Sequence, residues 1–175
     1  MTAIIDYGSG NLFSLGAALK RLGEEYIITS EESEILSANR IILPGVGEAS
    51  GLIPTIIGRD IDSVIRKSNM PVLGICIGMQ LLCNFSEEGE TECLDYFNTR
   101  VSRLQAKSVK VPHMGWNTIA RTNSGLFKGF TKEEFVYFVH SFYVPVNDCT
   151  AAVTDYIHPF SAALHKGNYY ATQFH

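Results

Sequence analysis

Apolar and polar positions follow two regimes along the chain. Over roughly the first 85 residues, short apolar runs alternate with stretches of three- and four-residue period. Residues 3–6 predict a strand running into the turn Tyr7-Gly8-Ser9-Gly10-Asn11. Leu12, Leu15, Leu19 and Leu22 then mark an amphipathic helix closed by Gly23. Residues 26–29 and 40–43 read as strands, the latter stopped by Pro44-Gly45-Val46-Gly47. A helix is expected over 50–67 with Pro54 near its first turn. A strand at 71–75 is followed by the helical pattern Ile77, Leu81, Leu82, Phe85. Such alternation predicts βαβ units and a parallel sheet with helices on both faces.

Beyond this point the runs are short, β-branched or aromatic, and bounded by Gly, Pro or Asn. Residues 101–104, 107–111, 116–120, 135–142, 151–154, 160–164 and 168–174 predict antiparallel strands added to the edge or face of the main sheet. There is no internal repeat or low-complexity linker, so one mixed α/β domain over 1–175 is expected.

Composition narrows this picture. At 175 residues, 46% hydrophobic and 18% charged, the chain can build a full core, which excludes disorder. The net charge of −4 counts against nucleic acid as a partner. No apolar run is long enough for a membrane span, and the N-terminus lacks the pattern of a signal peptide. Cys76, Cys83, Cys93 and Cys149 form no CxxC pair or Cys/His cluster, so neither zinc nor disulfides are expected and a reducing cytoplasm is.

Gly74-Ile75-Cys76-Ile77-Gly78 leaves a strand and opens a helix, the thiol version of a nucleophile elbow. In that setting the Ile77 N–H points toward whatever Cys76 attacks, and the helix N-terminus is expected to lower the thiol pKa. The alternative, a buried cysteine between turn glycines, loses ground because of the strand–turn–helix context. Among possible bases, His175 follows the apolar run 169–174 and so sits at a strand's C-terminal end, where sites gather in parallel sheets. His158 is expected in solvent, His113 at the surface, and His140 in the core or a pocket wall. Pro44-Gly45-Val46-Gly47 is either an ordinary strand-to-helix turn or a loop bringing backbone N–H groups to a developing oxyanion. Gly8-Ser9-Gly10 fails the dinucleotide fingerprint, because Phe13 stands at the third glycine position.

PGVGEA (44–49), GICIGMQLL (74–82), SEEGE (86–90), VPHMGWN (111–117), YFVHSFY (137–143) and YATQFH (170–175), in this order, resemble the class I glutamine amidotransferases over essentially the whole chain. Within them the resemblance is to the glutaminase subunits of imidazole glycerol phosphate synthase, which DYGSGN (6–11) and PHMGWN distinguish from the anthranilate, GMP and pyridoxal phosphate branches. The resemblance implies a flavodoxin-like three-layer sandwich, a mixed sheet with a parallel core and added antiparallel strands. It implies Cys76 as nucleophile and His175 as general base and acid, with Val46, Gly47 and Ile77 forming the oxyanion hole. Gln80, Glu88, Ser141 and Phe142 would hold the amino-acid end of L-glutamine. Trp116, Asn117 and Tyr137 would meet a (β/α)8 cyclase partner that receives the ammonia. No cofactor and no metal is implied. The family motif continues past the histidine with Pro and Glu, the third triad member, and then a final helix. This sequence stops at His175, so a missing C-terminal tail is expected to carry that Glu. Another thiol hydrolase on the same scaffold, or a non-catalytic binding subunit, stay as alternatives. Gln80, SEEGE and HSFY favour glutamine over the first, and intact Cys76 and His175 speak against the second.

Overall fold

The computed structural model describes residues 1–106, 109–121, 124–130 and 134–175. The chain opens with β1 (Thr2–Ile5), α1 (Leu12–Arg21), β2 (Tyr26–Thr29), α2 (Glu32–Ser37), β3 (Arg40–Leu43), α3 (Ala49–Gly58), α4 (Ile61–Lys67), β4 (Val72–Ile75) and α5 (Ile77–Leu81). It continues with β5 (Cys83–Ser86), β6 (Thr91–Glu92), β7 (Phe97–Arg103), β8 (His113–Thr118), β9 (Ala120–Arg121), β10 (Phe135–His140) and β11 (Phe142–Tyr143). The last strands are β12 (Thr150–Asp155), β13 (Pro159–Lys166) and β14 (Tyr169–Thr172).

Among the described residues the main sheet has eight strands in the order β2-β1-β3-β4-β14-β13-β12-β9. From β2 to β14 neighbours run parallel, and from β13 onward they run antiparallel. The four residues of β1 are all buried, as expected of a parallel strand covered on both faces. The chain steps outward from β1 to β2 and then back across to β3 and β4. Right-handed crossovers therefore place α1 on one face and α2–α4 on the other, giving three layers with a reversal point between β1 and β3. The α2–α5 side holds a core built on Ile5, Ile41, Leu43 and Val72 against Ile35, Leu52, Ile56 and Ile65. A second core joins Phe138 of β10 and Ile119 to Phe160, Ala162 and Ala163 of β13.

The parallel first half and the antiparallel additions are present, with several differences in detail. The predicted 50–67 helix is broken at Asp60, whose φ of 56° is left-handed. Pro54 lies well inside α3, so that helix forgoes one bond to a preceding carbonyl. The helix after Cys76 ends at Leu81, and Cys83 and Phe85 belong to a strand. Helix α2 buries only Ile35, a pattern too brief to register as a periodicity. Of α1 only Gly16 is fully buried, and Leu22 is 75% exposed beyond the helix end. Strand β14, expected antiparallel, pairs parallel with β4 and antiparallel with β13. Not all added strands join the main sheet, since β8 and β10 pair alone and β11-β7-β5-β6 form a separate sheet. Of the strand expected at 107–111, residues 107–108 lie outside the described residues and 109–111 are not extended into a ladder.

Phe160 is completely buried at the centre of the second core, 5.1 Å from the ring of His140 and 5.9 Å from that of Phe138. Phe160→Ala is expected to cost about 3–5 kcal/mol in urea unfolding. Leu22→Ala is expected to stay within about 0.5 kcal/mol of the parent. Equal effects of the two substitutions would contradict this core.

Candidate active site

The C-terminal ends of β1, β3, β4 and β14 meet at one edge of the main sheet. A cleft of about 470 Å³ opens there, lined by Asn11, Ser14 and Leu15, by Pro44, Gly45 and Val46, by Ile75, and by Tyr137, Val139 and His175. Cys76 follows β4 immediately and carries φ 54° and ψ −106°, a conformation that L-residues rarely adopt. Such strain persists only where the surroundings over-determine it. Here the Cys76 N–H donates to the Thr172 carbonyl at 2.7 Å, pinning the turn to β14. The elbow is also tightly hemmed in. A Cβ at Gly78 would stand 2.2 Å from the Leu43 carbonyl oxygen, and one at Gly45 only 1.8 Å from that of Ile75. Side chains at either position would push β3 and β4 apart just where the nucleophile must sit.

The thiol does not behave as the helix N-terminus alone would suggest. Burial pushes Cys76 up to about 11, against hydrogen bonds from the Ile77 backbone and the Gln173 side chain that favour the thiolate, while the charge of Glu88 adds to the rise. A five-residue helix offers too little dipole to offset that desolvation. His175 lies three residues past β14, tied by its N–H to the Tyr137 carbonyl at 3.0 Å. Desolvation lowers its pKa below the ordinary histidine value. The Cys76 thiol and the His175 imidazole therefore each rest uncharged near neutral pH.

The loop after β3 is held from below by the opening turn. The Tyr7 hydroxyl donates to the Pro44 carbonyl and the Ser9 hydroxyl to the Val46 carbonyl. These bonds fix the peptides on either side of Gly45–Val46. Val46 is 48% exposed at the cleft, and Gly47 has a φ of 129°.

The remaining expected residues fall into place unevenly. Gln80 is buried, and its Nε2 donates to Gln173 Oε1 at 3.0 Å and to the Phe142 carbonyl at 3.3 Å. Gln173 Nε2 in turn lies 3.6 Å from Cys76 Sγ. Glu88 is half-buried in the turn after β5; burial raises its pKa, while a hydrogen bond from the Ala49 N–H at the start of α3 opposes the rise. Ser141 and Phe142 are half-buried at the junction of β10 and β11. On the β8–β10 pair, Trp116 is 69% exposed and meets Tyr137 across the strands at 5.6 Å. Asn117, expected on the same outer surface, turns inward and donates to the Asp155 carbonyl at 2.9 Å. His113, expected at the surface, is buried beside His140, because strand alternation points both rings to the inner face. His158 is half-buried with its ring 4.5 Å from that of Tyr143. Gln173 went unremarked in the sequence, although a glutamine buried in an apolar strand end was itself the available signal. Among the described residues no cluster of His, Cys, Asp or Glu is arranged to hold a metal, and no helix is long and apolar enough to cross a membrane.

Many known proteins are similar to this chain. The imidazole glycerol phosphate synthase subunit HisH of Bacteroides thetaiotaomicron is 58% identical over 175 residues, spanning 99% of this chain and 89% of its own. The subunit of the same name from Vibrio parahaemolyticus is 44% identical over 179 residues, spanning 98% of this chain and 88% of its own. A crystal structure described as glutamine amidotransferase matches with a TM-score of 0.74 at 17% identity, covering 99% of this chain and 89% of that one. PurLQS from Thermotoga maritima matches with a TM-score of 0.71 at 15% identity, covering 99% and 86%. At such identities the structural matches speak for the fold alone. The model of the family described as glutamine amidotransferase class-I matches residues 3–175, a span that includes the strained cysteine and the loop packed on it, and the chain belongs to the class I glutamine amidotransferases.

Proposed function

We propose that this chain is a single glutaminase domain that hydrolyses L-glutamine and hands the ammonia to a (β/α)8 cyclase subunit making imidazole glycerol phosphate, in the histidine biosynthesis of the cytoplasm. The observation that carries the reading is the Cys76 backbone at φ 54° and ψ −106°, held at the sheet edge with Gly45 packed against it. Support for the synthase comes from relatives that bear its name at 58% and 44% identity.

In this reading Cys76 is the nucleophile. Because Cys76 and His175 each rest uncharged, the thiol proton passes to His175 as sulfur attacks the side-chain amide carbon of glutamine. The C–N bond breaks, His175 returns that proton to the departing nitrogen, and ammonia leaves. Water then attacks the thioester, giving its proton to His175, and glutamate departs as the thiol is restored. The N–H groups of Val46, Gly47 and Ile77 stabilise the oxyanion in both steps, and losing one such donor typically costs roughly 10²–10³ in rate. Glu88, Ser141 and Phe142 shape the end that takes the amino acid, and Gln80 supports them from the interior. Exposed Trp116 and half-buried Tyr137 present an aromatic pair to the cyclase, with Asn117 bracing their strand from within.

Cys76→Ala is expected to abolish glutamine hydrolysis and labelling by a glutamine analogue bearing an electrophilic side chain. Ammonium salts should still feed the partner's reaction. Peptide mapping should place the label on Cys76, which stands at the C-terminal end of β4 with the Gln173 amide against its sulfur, and not on fully buried Cys83 or on Cys93 or Cys149. A Cys76→Ala protein that hydrolyses glutamine at the parent rate would refute the assignment.

A second outcome concerns pH. A thiol raised to about 11 is protonated through the neutral range, so alkylation of Cys76 by iodoacetamide should climb about tenfold per pH unit from pH 7 toward that value. A plateau reached below pH 8 would show a thiolate already formed in the resting protein.

A further inference from the structure

Behind the aromatic pair of β8–β10, His113 and His140 are joined by a hydrogen bond of 3.2 Å between His113 Nδ1 and His140 Nε2. Both are nearly inaccessible, with 3% and 6% exposure. We propose that these two histidines act together as a neutral positioning pair, fixing the Phe142 carbonyl and, through Gln80 and Gln173, the Cys76 thiol. The proposal rests on the glutaminase reading of Cys76.

One arrangement of protons satisfies every neighbour. His140 Nδ1 stands 2.7 Å from the Phe142 carbonyl oxygen, which can only accept, so Nδ1 carries the proton. His140 Nε2 is then bare and accepts from His113 Nδ1–H. That leaves His113 Nε2 bare, and the Asn117 amide nitrogen faces it at 3.5 Å. Protonating His140 would set N–H against N–H inside the pair, and protonating His113 would set its Nε2–H against the Asn117 amide N–H. The groups around the pair discourage it further. Tyr156 stacks on His113 at 3.9 Å and Phe138 at 4.7 Å, while Phe160 lies 5.1 Å from His140. Among the described residues the titratable groups facing the pair are the two rings themselves and the Tyr156 phenol, whose oxygen is directed to the Lys110 carbonyl. Burial accordingly lowers both pKa values, that of His140 to about 4.

The same Phe142 oxygen also accepts from Gln80 Nε2, which bonds Gln173 Oε1, and Gln173 Nε2 reaches Cys76 Sγ. A continuous chain of polar contacts therefore runs from the inner face of β8–β10 to the nucleophile. The outer face of those strands carries Trp116 and Tyr137. A load on that surface bears directly on the strands that hold both imidazoles.

Nitrogen-15 NMR of the imidazoles tests the proton arrangement in the parent protein. The expected spectrum shows Nδ1–H and bare Nε2 on both His113 and His140, unchanged from pH 8 to pH 6. A proton on His140 Nε2, or a charged ring in that range, would overturn the pair. His140→Phe keeps a ring but removes both bonds. It should slow capture of Cys76 by the electrophilic glutamine analogue roughly tenfold. Alkylation by iodoacetamide should also slow, because the Gln173 contact to sulfur slackens. His140→Asn, which can restore a donor to the Phe142 oxygen, should recover part of the loss. Equal capture rates in folded His140→Phe and parent protein would refute the proposal. If His140→Phe does not fold, the NMR result decides. A parent protein that the glutamine analogue never labels would instead defeat the glutaminase reading, leaving the NMR and iodoacetamide arms to judge the pair.

Discussion

Backbone meets backbone at the ends of β3 and β4 with no room for a methyl group between. The carbonyls of Leu43 and Ile75 occupy the space that Cβ atoms at Gly78 and Gly45 would need. This contact locks the loop after β3 onto the turn after β4, and it leaves Cys76 no relaxed conformation to fall into. The strained dihedrals, the position of the Ile77 N–H and the placement of Val46 at the cleft all follow from it. A single added carbon would separate the strands by more than a core of this density can absorb.

Electrostatically the site is quiet at rest. Desolvation dominates over the short helix dipole at Cys76 and over solvent at His175, so neither carries charge before substrate arrives. The buried glutamines and histidines extend this neutrality inward, bonded to one another, to the Phe142 carbonyl and to the Cys76 sulfur. Neutral networks of this kind hold geometry without the desolvation cost of ion pairs.

Much of this was legible in the sequence. The alternation of strands and helices through residue 75, the elbow at 74–78, and the placement of His175 at a strand end all followed from apolar runs and glycines, because burial on two faces leaves an unmistakable pattern. Where elements were short or governed by distant partners, the pattern failed. Helix α2 buries a single isoleucine, and the left-handed residue at the break between α3 and α4 is Asp60 rather than the glycine, Gly58, two positions before it. The inward turn of His113 depends on its pairing opposite His140, a register that local sequence does not reveal. The thiol pKa was misjudged because depth of burial, set by the whole fold, outweighed a local dipole.

Strand β14 has a consequence for the order in which the protein comes into being. Thr172 sits in register beside Ile75, and Gln173 and His175 follow directly, so the nucleophile meets Gln173 across a sequence gap of 97 residues, more than half of the chain. Closing such a loop is entropically costly and gains nothing until the strand docks. During synthesis the elbow leaves the ribosome long before β14 does. A growing polypeptide thus carries its sulfur without these partners, and Gln173 and His175 reach it only when β14 slides between β4 and β13.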